Sequence, residues 1–591
     1  MKRLVTILMA LALLLSLCAG CGNTATTPAD DTTPAGTSTD TQQPQDAGTP
    51  AADEPQTEAP ADAGDVEINP SENPSWWTYT YGIVNTEMPK VENSGLVQLP
   101  LTETPATLTG FRNYGQGAYV ANPDDIKCNV WLAEQTGVTM NWTAVNTAEQ
   151  YQIFFAGGDL TDIVAEAGAT YSYTGGLDKA IEDEIYVSGN EYLQYMPNFV
   201  AYLNHSQNIR RECVTDEGTY YFPTIKSGYE PPWTGPMVRG DWLTDLGLDT
   251  PTTYDDWYEM LTLFKTEKGA DGALGLSSKT GYDTMGHGLD AGYGAIGAFY
   301  AENGTDVKYG FVEDGFRAYI TMLAKWYSEG LIDRDFMSHP MFTDGQGLVA
   351  AGTVGAYDSS IYSFSFIYPA GSDDPNMTWI PVPIAKKNDT DENPHFRNQS
   401  TLVNSVGRMV ITSAAVERGN DVLAAKWIDF RYSEEASYVL NYGIEGESWT
   451  MGEDGLPHYT DVILNNPNYA TSGEARYIYT DGNLGGSYYM WCFQFDQYPP
   501  ETFDGYAVWS GSADCDWMMP AGVTLTTAEG EKYSATYGDI ETTMQEYILK
   551  FITGEKNVET EWDSYVQTLE GMNLQTCIDI YQAALDRYND R

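Results

Sequence analysis

Between Asn122 and Val164 the chain alternates between two hydrophobic periods, and few folds accommodate that alternation. Asn122-Pro123 reads as an N-cap followed by Pro at the first helical position, and Gly137 as the left-handed stop of the helix that follows. Val138, Met140 and Trp142 then alternate with polar residues, the period of a strand. Thr147 to Ala156 reads as a second helix ended by Gly157-Gly158, and Ile163-Val164 opens a short buried strand. Helix, strand, helix, strand in succession predicts an α/β fold with a parallel sheet and crossover helices. In such sheets ligands bind beyond the carboxyl ends of the strands. Later segments show single helical stripes. One is Trp257, Met260, Leu261 and Phe264 behind a Thr253/Asp256 capping box, and another is Phe316, Tyr319, Ile320, Leu323 and Tyr327 before Gly330. Leu423, Trp427 and Phe430 mark a third, and Tyr581, Ala584, Leu585 and Tyr588 a fourth. Their expected place is the core.

The first seventy residues have a different character. Lys2 and Arg3 precede an apolar run from Leu4 to Leu17 broken only by Thr6 and Ser16, the layout of a secretory signal. The run is shorter than the roughly 20 apolar residues a spanning helix needs. Cys18-Ala-Gly-Cys21 has the spacing of a redox dithiol or half a zinc site. No βαβ pattern surrounds it, however, and no second C-x-x-C exists. Ala19 and Gly20 before Cys21 are similar to the bacterial lipobox, with Cys18 where Leu is usual. Residues 1–20 are therefore the expected signal peptide and Cys21 the expected lipid attachment point. Residues 21–70 contain no aromatic residue, and no Lys or Arg occurs between Arg3 and Lys90. Such a segment buries too little apolar surface to offset its chain entropy, so a disordered acidic linker is expected there. Residues 71–95, with Trp76 and Trp77, form an N-terminal extension.

The formal charge of −54 argues against binding nucleic acid through its backbone, and against adhesion to anionic lipid through the protein surface. The remaining cysteines, Cys128, Cys213, Cys492, Cys515 and Cys577, are odd in number and widely spaced, so no disulfide framework is expected. The five His residues, His205, His287, His339, His395 and His458, form no H-E-x-x-H, and no G-x-S-x-G, phosphate-binding or EF-hand pattern stands out. Neither a metal, a cofactor nor catalysis is expected. With 84 acidic residues a glycosidase carboxylate pair would leave no signature, so an anchored glycoside hydrolase stays open as an alternative.

Several segments in order carry a resemblance: "TGVTMNWTAVNTAEQYQIFFAGGDLTDIV", "MVRGDWLTDLGLDTPTTYDDWYEML", "AKWYSEGLIDRDF", "VAAGTVGAYDSS", "AAKWIDFRYSEEAS" and "NYGIEGESWTMGEDGLPHYTD". From about Leu99 to Arg591 the chain resembles the extracellular solute-binding proteins of family 1, in the long lipoprotein branch of carbohydrate importers. Thr161 stands where many relatives have Pro, and "TEKGADGALG" keeps little of the Asp/Asn-rich stretch relatives often carry near 266–275, so no calcium site follows. The resemblance implies a two-lobed periplasmic-binding-protein-like fold (type II) with ligand held between lobes joined by hinge segments. Lobe one is expected at 96–213 plus 401–445, and lobe two at 214–400 plus 446–591. The implied function is capture of a carbohydrate, an oligosaccharide, and its delivery to the permease subunits of an ABC importer. The protein would be an extracellular monomer held at the cell membrane by its lipid. A surface glycan adhesin is the other binding reading.

Sugars need flat aromatic faces for their apolar side and carboxylates, Arg and Asn for their hydroxyls. Strand-following segments supply the candidates: Asn113 and Tyr114, Glu166 after "DIV", Trp233 and Arg239 around "WTGPMVRGDW", Asp358 and Tyr362 after "GTVGA", and Trp491 in "YYMWCFQF". Two of them also have a plain reading: Arg239 as a supporting ion pair, and Trp233 as core. Asp159, Asp162, Glu445 and Glu447 read as turn residues.

Overall fold

Two sheets, each with its own helices, organise the chain. The structure is a computed structural model. It describes residues 78–80, 83–85, 98–115, 117–168, 171–226, 232, 234–276, 288–338, 346–360, 376–395, 402–469, 471–481, 485–498, 500–512 and 517–591. The sheets use strands β1 (Ala106–Asn113), β2 (Val138–Val145), β3 (Ile163–Ala167), β4 (Phe222–Lys226), β5 (Thr234–Arg239), β6 (Ala356–Ser360), β7 (Trp379–Pro381), β8 (Val403–Ile411) and β9 (Ser487–Tyr489). The first sheet has the order β9-β4-β8-β3-β1-β2 and the second β6-β5-β7. β1 is parallel to β2 and β3, and β9 to β4, so the carboxyl ends of these five strands share one side. β8 runs antiparallel to both β3 and β4, which corrects the all-parallel expectation. It enters from the second lobe at the carboxyl end of its neighbours and must run the opposite way. In the second sheet both outer strands are antiparallel to β5.

The local elements follow their sequence signals closely. Asn122 caps a 3-10 turn at Pro123–Asp125, and the helix proper, α1, is Lys127–Thr136, ended by Gly137 at φ 69°. In β2 the alternating Val138, Met140 and Trp142 are buried. Trp142 lies opposite Gly110 in the register, and a Cβ at position 110 would come within 2.4 Å of its indole, so only glycine fits there. Thr147 caps α2 (Ala148–Gly157), and Gly158 ends it at φ 72°. Further helices are α3 (Pro197–His205), α4 (Gly240–Leu246), α5 (Tyr254–Glu267), α6 (Asp314–Ser328), α7 (Asp421–Phe430), α8 (Glu434–Tyr442), α9 (Pro500–Ser510), α10 (Thr527–Thr553), α11 (Val558–Gly571) and α12 (Leu574–Asp590). The Thr253/Asp256 capping box opens α5 as its spacing predicts.

On one face of the first sheet Leu108, Leu132, Met140, Trp427 and Tyr432 pack together, and on the other Phe111, Tyr151, Val164 and Tyr186. In the second lobe α5, α6, α10 and α11 bury Trp257, Phe264, Leu323, Phe551 and Trp562 in one core. These cores move the expected lobe boundaries. β4 pairs with β8 and places Phe222 and Ile225 in the first lobe, and so do Trp449, Tyr459, Ile463, Tyr488 and Phe493. Of the described residues, the first lobe therefore takes those within 98–226 and 402–493, and the second those within 234–395 and 500–591. The boundaries escaped the sequence because β4 and β9 are short strands, completed only by pairing. Next to the last crossing, Trp491 packs with Met237, Ile384, Phe503, Tyr506 and Trp509 in an apolar cluster that joins the lobes.

Candidate ligand site

The carboxyl end of β1 carries a buried ion pair. Arg112, 5% exposed, donates from both terminal nitrogens to the two oxygens of Asp481, at 2.6 and 3.0 Å. Asn129 Nδ2 donates to the same carboxylate at 3.1 Å. The guanidinium lies 5.1 Å from the Tyr114 ring centre and 5.6 Å from that of Trp142. A bidentate pair stacked on rings is the geometry in which arginine is hard to replace. Tyr114 in turn donates its hydroxyl to the Val120 carbonyl at 2.8 Å, and burial pushes its phenol up to about 12. The amides of Lys127 and Cys128 donate to the carbonyls of Ile478 and Tyr479. The loop after β1 and the segment 474–481 are thus held together over the start of α1.

On the outside of this tie lies a rim of aromatic and charged groups. Tyr119 is 38% exposed; its ring centre is 5.5 Å from that of Tyr477, and its hydroxyl donates to Glu474 at 3.1 Å. Lys127 pairs with Glu447 and sits 4.5 Å over the Tyr479 ring. The loop after β3 lies at the same end of the sheet, where Gln152 Nε2 donates to the Ser172 carbonyl and Tyr171 to the Asn146 carbonyl. Partly exposed aromatic faces beside carboxylates and an ammonium can stack on an apolar sugar face while binding its hydroxyls.

The predicted site residues fall in different places. Asn113 stands half-buried at the end of β1, and its carbonyl accepts from Arg112 Nε at 3.2 Å. Tyr114 is beside it but buried, bracing the ion pair. Glu166 is 2% exposed and engaged inside the lobe. It accepts from the Tyr173 amide at 2.9 Å and the Tyr186 hydroxyl at 2.8 Å, and it pairs with Arg408, its register partner on β8. Arg239 is 3% exposed, bonded twice to Asp241 at 2.8 and 2.6 Å and stacked 4.4 Å from Trp242. That is the supporting ion pair of its plain reading. Trp491, 2% exposed, belongs to the interlobe cluster. Asp358 lies on β6 opposite Pro236, half-buried. Cys21, Trp233 and Tyr362 lie outside the described residues. Glu166, Arg239 and Trp491 thus do not join Asn113 at the rim. For the two charged residues an opposite charge stands directly across the sheet or two positions along the chain.

Sequence reasoning missed Arg112, Tyr119, Glu474, Tyr477 and Asp481. Tyr119 follows β1 and was within reach of the strand-end rule that chose Asn113. Arg112 and Asp481 stand 369 positions apart, and no local signal links them. Cys128, Cys213 and Cys577 are free and buried, and Cys492 is buried against the Tyr442 hydroxyl. Among the described residues no group of three or more His, Cys, Asp or Glu could hold a metal ion. No described helix is long and apolar enough to cross a membrane.

No family model matches the chain. It is 24% identical over 502 residues to the fructooligosaccharide ABC transporter substrate-binding protein FusA of Streptococcus pneumoniae, covering 77% of this chain and 86% of FusA. Lipoprotein LipO of Bacillus subtilis is 26% identical over 262 residues, 41% of this chain and 49% of LipO. Among solved structures, an HMO-binding, ABC-transporter-associated solute-binding protein from Bifidobacterium longum infantis aligns with a TM-score of 0.66 at 18% identity. The alignment covers 82% of this chain and 99% of that one. The fold is that of the two-lobed solute-binding proteins, and the chain resembles family 1 of that group in motif and in architecture.

Proposed function

We propose that this protein is an extracellular, lipid-anchored solute-binding protein that captures an oligosaccharide and passes it to the permease subunits of an ABC importer. The observation that carries the carbohydrate reading is the rim at the end of β1, where Tyr119 and Tyr477 present partly exposed rings beside Glu474. FusA, matched over most of its length, is named for fructooligosaccharides, which supports the same class of ligand. Asn113, Asp358, Trp233 and Tyr362 complete the proposed contact set. The protein binds as a monomer and leaves the glycan chemically unchanged.

The test is a titration of the protein with fructooligosaccharides and other soluble oligosaccharides, read by calorimetry and by thermal shift, since a ligand specific for the native state raises apparent stability. Tyr119→Ala and Tyr477→Ala are each expected to weaken binding by roughly 1–3 kcal/mol, the range for losing an aromatic anchor. Their melting temperatures should change little, because both rings are partly exposed. Unchanged affinity in both variants would remove the rim from the site. New reducing ends on prolonged incubation would favour the hydrolase instead.

The anchor is tested separately. Cys21→Ser should release the protein from the membrane fraction of producing cells. Equal retention of mutant and wild type would reject lipid attachment at Cys21.

A further inference from the structure

The apolar cluster around Trp491 is one junction between the lobes; the structure contains a second. The first-lobe segment 206–217 meets α12 and the segment before α10 from the second lobe. Asp216, whose side chain has no solvent exposure, accepts from Arg587 Nε and Nη2 at 2.8 and 2.6 Å and pairs with Arg591. Arg587 also bonds Glu529, which caps α10. Arg591 Nη1 donates to the carbonyls of Arg211, Val214 and Gly522 at 3.2, 2.6 and 3.1 Å. Tyr588 donates to Glu212 at 2.6 Å, and the Asp216 amide donates to Thr524 Oγ1 at 2.8 Å. The backbones also touch closely: a Cβ at Gly522 would lie 2.9 Å from Glu212 Cα.

We infer that this charged clasp is a permanent pivot: together with the Trp491 cluster it fixes the axis about which the two lobes turn. A latch that opens in each binding cycle has to be weak, because the open and closed states of such proteins differ by a few kcal/mol. Separating this contact would break, all at once, both ion pairs of Asp216, the three carbonyl bonds of Arg591, the Tyr588–Glu212 bond and the Asp216–Thr524 bond, and each such bond contributes about 0.5–1.5 kcal/mol, so their sum exceeds that difference. The clasp is therefore kept while the lobes move. Its position completes the argument. The segment 206–221 leads into the amino end of β4, whereas the crossing to β5 leaves from the carboxyl end of the same strand. The two junctions are thus separated along β4, five residues or about 17 Å at the usual rise per residue. Two fixed points so placed leave one rotation free, about the line that joins them.

The inference rests on lobe motion in the proposed binding cycle, but its test needs no ligand, so failure of the carbohydrate assignment would leave it standing. Spin labels are placed at Ile153→Cys on the first lobe and Met337→Cys on the second, both exposed in the parent chain, with single-label controls for native thiols. Electron–electron distance measurements are then made on the ligand-free full chain, with and without Arg591→Ala. The variant is expected to broaden the interlobe distance distribution about twofold around the same centre, because a second rotation becomes accessible. An unchanged distribution would overturn the inference. So would a shift to one new, equally narrow distance, which would make the clasp a latch. Asp216→Asn, which keeps the side-chain shape, gives the same readout if Arg591→Ala does not fold.

Discussion

Asp481→Ala is expected to lower folding stability by about 3–5 kcal/mol, the range for removing one partner of a buried ion pair. Asp481 is 6% exposed and serves more than Arg112. Arg431, with no solvent exposure, sits in the same field and has its Nε bonded to the Gly486 carbonyl. Its two terminal nitrogens are buried with no hydrogen-bond partner among the described residues. Removing the carboxylate leaves the buried guanidinium groups of Arg112 and Arg431 in each other's field without the anion that offsets their repulsion. Asp481→Asn, which keeps an acceptor for Arg112 but not the charge, should fall between the two. Ligand affinity should drop as well, since the pair holds segment 474–481, and with it Tyr477 and Glu474, against the loop after β1. Denaturant midpoints of the three proteins check the order. A loss below about 1 kcal/mol for Asp481→Ala would mean that water or the neighbouring backbone replaces the carboxylate.

The second large effect is a dependence of stability on pH, with Asp429 as its source. This carboxylate on α7 is fully buried and accepts from the Phe199 amide and from Asn198 Nδ2, both at 2.9 Å, at the start of α3. Burial outweighs these hydrogen bonds and pushes its carboxyl up to about 7. In the unfolded chain the same group titrates near its ordinary value of 3.8. Between those two values the folded state holds a proton that the unfolded state releases, so stability falls as pH rises from about 4 to about 7. The component is absent as a penalty at the acid end and fully developed above the folded value. Its size is on the order of 4 kcal/mol, from a shift of roughly three pH units. Asp429→Asn should abolish it. An amide at this position still accepts from the Phe199 amide, and its nitrogen can face Asn198 Oδ1, which is buried with no partner among the described residues, once the Asn198 amide turns over. The variant should therefore gain on the wild type as pH rises from 4 to 7.5, with the difference concentrated in that window. Parallel stability curves for the two proteins across the window would assign the titration to another group.

What the sequence determined by itself is the set of local elements and their buried faces. Thr147, Thr253, Gly137 and Gly158 start and stop helices where they stand, because capping satisfies backbone groups within one turn of the residue that does it. The alternation of Val138, Met140 and Trp142 likewise survives intact, since a strand's two faces are set by its own period. The family motifs added the two-lobed architecture. Tertiary structure alone decided the direction of β8, the membership of β4 and β9, and the fate of the charged candidates. Glu166 reads as a ligand carboxylate until β8 lays Arg408 opposite it, and Arg112 has no partner until segment 474–481 returns to the end of β1. Propensity and capping act over a few residues, whereas a buried charge is settled by whichever opposite charge the folded chain brings within hydrogen-bond reach. For Arg112 that charge is 369 positions away, and no pattern shorter than the whole fold encodes it.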